Sequence, residues 1–150
     1  MSRRAEIQLS DEEQAELLGA ERIVVVASQG SRGWPHLMPL WYVVRDGECW
    51  AWTYAKSQKI RNLERESRCT LQVEAGATYD ELRGVMLKAE CVLHRDLGTV
   101  TGLGEEIARR YGGADLDEAA RGYVAKQAAK RVGLQFRPRE SATWDHRKLG

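Results

Sequence analysis

Lys56, Ser57, Lys59 and Arg61 set a hydroxyl and three cations at one junction, where an alternating strand ending in Trp52-Thr53-Tyr54 runs into a helix start at Ser57-Gln58-Lys59-Ile60. A helix N-terminus has backbone N–H groups with no intrahelical acceptor and a partial positive charge, and the two together favour an anion such as phosphate. Ser57 suits the N-cap, because its hydroxyl can accept from the first turn, and the cations add formal charge around it. The competing interpretation is an ordinary solvated helix face. Other chemistries find little support. His36, His94 and His146 form no metal-ligand pair, and Cys49, Cys69 and Cys91 lie too far apart for a zinc motif. No serine stands in a nucleophile-elbow pattern. His36 and Tyr54 are the side chains close enough to this region to relay a proton, and no catalytic residue is assigned.

The elements that must position this junction follow from periodicity. Ser10-Asp-Glu-Glu13 is a capping box opening a helix to about Gly19. Ile23-Val-Val-Val-Ala27 is a β-branched run expected to form a strand buried on both faces. A second strand is expected from Trp34 to Arg45, closed by the hairpin dipeptide Asp46-Gly47. A third, Glu48 to Tyr54, puts Cys49, Ala51 and Thr53 on one face and Trp50, Trp52 and Tyr54 on the other. Trp50 and Trp52 are expected to serve the core or a subunit interface. Strands over Arg68–Glu74 and Arg83–Arg95 follow. Two helices then run from Asp96 to Lys130 with a break at Tyr111-Gly112-Gly113, and two final strands cover Val132–Arg137 and Ser141–Trp144. Consecutive antiparallel strands with few helices predict a mainly β protein, a closed or nearly closed β-barrel with helical decoration. Pro39 cannot donate to a ladder, so it marks either an edge or bulge, or a stretch from Met38 to Trp41 whose backbone is free to meet a ligand.

Composition bounds the partners. At 150 residues the chain is expected to be a single domain over 1–150, large enough for a real core. With 23 basic and 22 acidic residues the net charge is +1, which leaves no general field for nucleic acid. No apolar run approaches the ~20 residues of a membrane span. No signal-peptide pattern is evident, and three unpaired cysteines in strand-like runs suit buried thiols in a reducing compartment, so a cytoplasmic location is expected.

Four pieces, taken in order, resemble the FMN-binding split-barrel family of pyridoxamine phosphate oxidase and the deazaflavin (coenzyme F420)-dependent reductases. They are Pro35-His-Leu-Met-Pro-Leu-Trp41, Thr53 with Lys56-Ser-Gln-Lys-Ile-Arg-Asn-Leu63, Arg83-Gly-Val-Met-Leu-Lys-Ala-Glu90, and Thr143-Trp-Asp-His-Arg-Lys-Leu149. The resemblance implies a dimeric split β-barrel with cofactor in a groove between subunits. It implies that Met38, Pro39, Leu40 and Trp41 present backbone to the ring of the cofactor and that Thr53 touches the ring or its side chain. Lys56, Ser57 and Lys59 would hold the phosphate with Arg61 and Asn62 beside them, and Gly84 and Trp144 would approach from the facing subunit. The ending at Trp144–Leu149 resembles the deazaflavin group and lacks the arginines that hold pyridoxal phosphate. Coenzyme F420, with its lactyl-oligoglutamate tail, would need further cations, for which Arg65, Arg3 and Arg4 are candidates. The expectation is therefore an F420-dependent oxidoreductase passing hydride to a quinone-, tetrapyrrole- or enone-like small molecule. The alternatives are an FMN enzyme of the same fold, or a non-catalytic flavin- or haem-binding relative. Acceptor contacts are expected from the loops at 29–33, 76–80 and 111–117.

Overall fold

The computed structural model describes residues 2–113 and 115–150; Ala114, within the 111–117 loop expected to touch an acceptor, lies outside them, as does Met1. Seven strands form one antiparallel sheet: β1 (Val24–Gln29), β2 (Pro35–Leu40), β3 (Val43–Arg45), β4 (Glu48–Tyr54), β5 (Arg68–Ala75), β6 (Arg83–His94) and β7 (Arg131–Asp145), in the order β2-β1-β5-β6-β7-β4-β3. The sheet curls around a core of inward-facing side chains, with Val24 and Val26, Leu71 and Val73, Val85 and Leu87, and Leu134 and Phe136 all buried. Helices α1 (Arg3–Glu6), α2 (Asp11–Ala20), α3 (Gln58–Arg65), α4 (Leu97–Gly112) and α5 (Glu118–Ala128) decorate it. This is the half-barrel of a split-barrel fold.

Several expectations are met for the expected reasons. Ser10 and Glu13 close a reciprocal capping box on α2. Asp46 and Gly47 take φ of 49° and 77°, as a primed hairpin turn between β3 and β4 requires. Pro39 lies on β2, which is an edge of the sheet, so its missing N–H interrupts no ladder on the outer side.

Three readings need correction. Trp34–Arg45 is two strands rather than one. β2 pairs with β1 and β3 pairs with β4, so the chain crosses at Trp41-Tyr42 from one edge of the sheet to the other. Second, β1 is not buried on both faces: Val24, Val26 and Ser28 point inward, while Val25 and Ala27 are half exposed on the outer face. Third, the two expected C-terminal strands are one continuous β7. A register shift opposite Lys88 and Ala89 sets Pro138 across from Ala89, and the ladder resumes on either side. The sheet curls until its edge strands β2 and β3 are joined by Trp41-Tyr42 alone, which is the nearly closed form of the expected barrel.

Helices α4 and α5 cover the outer face of β3, β4 and β7. Leu103 and Ile107 of α4 meet Val43, with Trp50, Trp52 and Tyr111 packed around them. Gly104 lets the helix lie against the Trp52 ring, which a Cβ there would strike. The Trp50–Trp52 face is thus a second core beneath these helices.

Candidate functional site

Ser57 caps α3 as its sequence implies: its Oγ accepts from Ile60 N at 3.4 Å. Gln58 and Lys59 hold the first-turn N–H positions that no intrahelical carbonyl can reach. Lys56 and Arg61 are exposed around this end. Lys59 differs from them. It is 7% exposed, and burial alone pulls its ammonium pKa below the ordinary lysine value. Among the described residues no carboxylate pairs with it. A buried cation without a counter-ion is costly, and this one stands at the positive end of a helix.

The helix is held there by its opposite face. Ile60 and Leu63 enter the core, and Asn62 is fully buried. The Asn62 amide donates to Ser28 Oγ on β1 at 3.1 Å and accepts from Gln58 Nε2 at 2.9 Å. Its polar atoms are therefore engaged within the protein, and Asn62 acts as the pin that fixes α3 on β1. Arg65 donates to the Gln29 carbonyl at 2.6 Å rather than to Glu64 or Glu66. Those two carboxylates pair with Arg95 and Arg68.

The β2 segment lies one strand away. Ser28 of β1 stands opposite His36 of β2, so the pinned helix shares the inner side of the sheet with His36, Met38 and Leu40, while Leu37 and Pro39, opposite Ala27 and Val25, face outward. Met38, Pro39 and Trp41 are exposed and Leu40 is half buried. Thr53 is buried next to the small Ala51 on the inner face of β4. His36 Nδ1 is buried without a partner, whereas His94 meets Gln135 at 3.0 Å and His146 meets the Tyr79 carbonyl at 2.7 Å.

Gly84 and Trp144 face each other across β6 and β7, and a Cβ on Gly84 would come within 2.5 Å of the Trp144 ring. They are neighbours, but β5 and β1 separate them from β2 in the sheet. The rest of the C-terminal piece is tied down within the chain. Asp145 is buried, accepts from Arg147 Nε at 2.9 Å and from a second guanidinium nitrogen at 2.8 Å, and these bonds hold its carboxyl below the usual range. Lys148 Nζ donates to the Gln8 carbonyl and to Glu13, each at 2.7 Å.

Sequence reasoning missed Arg110, Tyr111 and Arg131. Tyr111 stacks on Trp41 with centroids 4.3 Å apart and accepts from Tyr42 N at 2.9 Å. The Arg110 guanidinium donates to the carbonyls of Leu18, Gly19, Glu21 and Tyr42 and lies over the Tyr42 ring. Arg131, at the start of β7, lies over the rings of Trp52 and Tyr54 at 4.7 and 4.1 Å. The only trace of these roles in the sequence is a basic-aromatic pair before the Gly112-Gly113 helix stop. Pro39, Leu40 and Trp41 line a pocket of about 330 Å³ with Trp52, Tyr123 and Arg131, walled by α4 and α5. A larger hollow of about 700 Å³ crosses the outer face of β1, β5 and β6. Its charged side chains are already paired, Lys88 with Glu140 and Arg139 with Glu90, each at 3.0 Å.

Comparison with known proteins agrees with this architecture. The conserved hypothetical protein Rv2991 from Mycobacterium tuberculosis is 37% identical over all of this chain and 93% of its own, with a TM-score of 0.92. An F420 reductase shares the fold at 18% identity and TM-score 0.66, over 84% of this chain and 93% of its own. A FAD-binding protein from Mesorhizobium loti does so at 17% and 0.69, over 91% and 94%. No curated protein matches at a significant level. The profile described as pyridoxamine 5'-phosphate oxidase matches residues 10–145. With nearly the whole sheet inside that match, the chain belongs to the pyridoxamine 5'-phosphate oxidase family of split barrels, which includes oxidoreductases.

Proposed function

We propose that this protein is an F420-dependent oxidoreductase that acts as a homodimer on a conjugated small molecule. The observation that carries the reading is Lys59, a buried cation with no counter-ion among the described residues, at a serine-capped helix start. A phosphate there would supply the missing charge and meet the free N–H groups of the first turn. Lys56 and Arg61, both exposed beside it, would take the phosphate's outer oxygens and the first carboxylates of a glutamate tail. That surplus of cations favours F420 over FMN, as does the resemblance of Trp144–Leu149 to the deazaflavin group. The F420 reductase of the same fold supports it at the level of architecture.

Within this assignment β2 and the residue after it offer the backbone of Met38, Pro39, Leu40 and Trp41 to the ring, and Thr53 would touch it from the inner face of β4. Gly84 and Trp144 would come from the second copy. Asn62 positions α3 instead of touching the ligand. When bound, reduced F420 supplies a hydride, and the acceptor also takes up one proton. His36, whose Nδ1 is buried and unpartnered, is the side chain on the β2 inner face able to hold that proton.

Parallel titrations with F420 and FMN, read by quenching of tryptophan fluorescence, test the proposal. F420 is expected to bind tightly and FMN weakly, with Lys56→Ala and Lys59→Ala each weakening F420. Tighter binding of FMN would reject the cofactor, and unchanged F420 binding in both variants would reject the site.

A further inference from the structure

We infer that the pocket beside β2 is the acceptor site and that its occupant is a flat, two- or three-ring molecule bearing a carboxylate, held by Arg131. The inference deepens the proposed oxidoreductase function and rests on it for the word acceptor. It does not rest on it for the binding chemistry.

Position comes first. The pocket lies where the sheet fails to close, between the end of β2 and β4, and the α4–α5 pair forms its outer wall. Pro39, Leu40 and Trp41 belong both to this pocket and to the segment assigned to the cofactor ring, so an occupant would sit next to that ring. The walls come next. Trp41, Trp52 and Tyr123 present aromatic surface, and Trp41 is braced from behind by its stack on Tyr111. Such walls select a planar, polarisable ligand. A volume of about 330 Å³ is at the small end of the range for ligand sites (roughly 300–1,000 Å³). It suits a bicyclic or tricyclic system.

Arg131 supplies the charge preference. Its guanidinium is clamped between the Trp52 and Tyr54 rings, and one terminal nitrogen donates to Gln127 Oε1 at 3.2 Å. Its Nε is buried and has no partner. Among the described residues no carboxylate pairs with it. An arginine that only stabilised the fold through its stacking would leave that donor unsatisfied. A planar carboxylate matches the guanidinium fork and would satisfy it, and the fixed geometry lowers the entropic cost of binding.

Calorimetric titration of the full-length protein, without added cofactor, with 2-naphthoate and its neutral analogue 2-naphthamide tests this. Naphthoate is expected to bind at least tenfold more tightly than naphthamide. Arg131→Met should abolish that preference while leaving naphthamide affinity in place. Tyr123→Ala, at a position 65% exposed and therefore safe for folding, should weaken both ligands severalfold. Equal affinity for the two ligands, no binding of either, a preference that survives Arg131→Met, or indifference to Tyr123→Ala would each overturn the inference. If Arg131→Met does not fold, the wild-type pair and Tyr123→Ala decide. Binding of naphthoate by a protein that binds no F420 would instead overturn the cofactor reading and leave the carboxylate pocket standing.

Discussion

Lys59 works against the stability of the free protein. Its charge is buried with no counter-ion among the described residues, and burial holds its folded pKa below the usual 10.5. Between that lowered value and 10.5 the unfolded chain holds the extra proton, so stability rises with pH across the window. Binding an anion reverses the sign for affinity. A bound phosphate raises the lysine pKa, so affinity is complete below the free-state pKa and declines as pH rises through it. Lys59→Met is therefore expected to raise the Tm of the free protein. The same change should weaken F420 by roughly tenfold to a hundredfold, the scale of a hydrogen bond to a charged group at ~1.5–3 kcal/mol. Fluorescence titrations from neutral pH upward should show the wild-type Kd climbing, with this variant lacking the slope. A wild-type Kd that stays flat would mean that Lys59 does not touch the anion. The serine cap and its surrounding cations were legible in the sequence, because Ser57, Lys56, Lys59 and Arg61 sit at a strand-to-helix junction. The difference between Lys59 and its exposed neighbours Lys56 and Arg61 was not, since burial depends on which face α3 turns to β1.

At the scale of elements, the last turn of α4 holds the β2–β3 crossover in place. Arg110 satisfies carbonyls at the end of α2 and on Tyr42, and Tyr42 in turn is fully buried, its hydroxyl pushed up to about 12 by burial and donating to the Leu18 carbonyl. Removing the guanidinium takes one donor from the Leu18, Glu21 and Tyr42 carbonyls, which keep tyrosine hydroxyls, takes the side-chain donor from Gly19, and strips the face of the Tyr42 ring. Arg110→Ala should cost roughly 2–4 kcal/mol in urea unfolding, the range for breaking a partly buried charged network. Arg110→Lys should recover little of it, because an ammonium cannot span four carbonyls. Full recovery by lysine would show that charge alone matters. The continuous apolar run Leu40-Trp41-Tyr42-Val43 hides the crossover from sequence reading, as periodicity breaks only when the partners on the two sides are known. The break expected between Arg137 and Ser141 is the opposite case, since a bulge keeps Pro138 within one long strand.

For the whole molecule, β2 is an edge strand that carries Leu37 at 58% exposure and Met38 at 40%, with Trp41 at 53% just beyond its end. Edges of this kind are usually shielded by charge or covered by another surface. The proposed homodimer would cover this one and bring Gly84 and Trp144 of a second copy to the cofactor groove. Sedimentation should then find two copies for the wild type, and Leu37→Glu should sediment as a single copy with weakened F420 binding. A wild-type protein that sediments as one copy while binding F420 fully would reject the shared groove.

By itself, the sequence determined the local chemistry: the capping box at Ser10, the Asp46-Gly47 turn, the Ser57 cap with its cations and the alternation of β4. These depend on residues within a few positions of one another, so neighbouring side chains are enough to specify them. Only the tertiary structure decided which cation is buried, that Asn62 donates to Ser28, that Arg110 bridges α4 to the crossover, and that Arg131 stands beside an aromatic pocket with no carboxylate partner among the described residues. Each of those depends on contacts between segments far apart in the chain, and the curl of the sheet creates them.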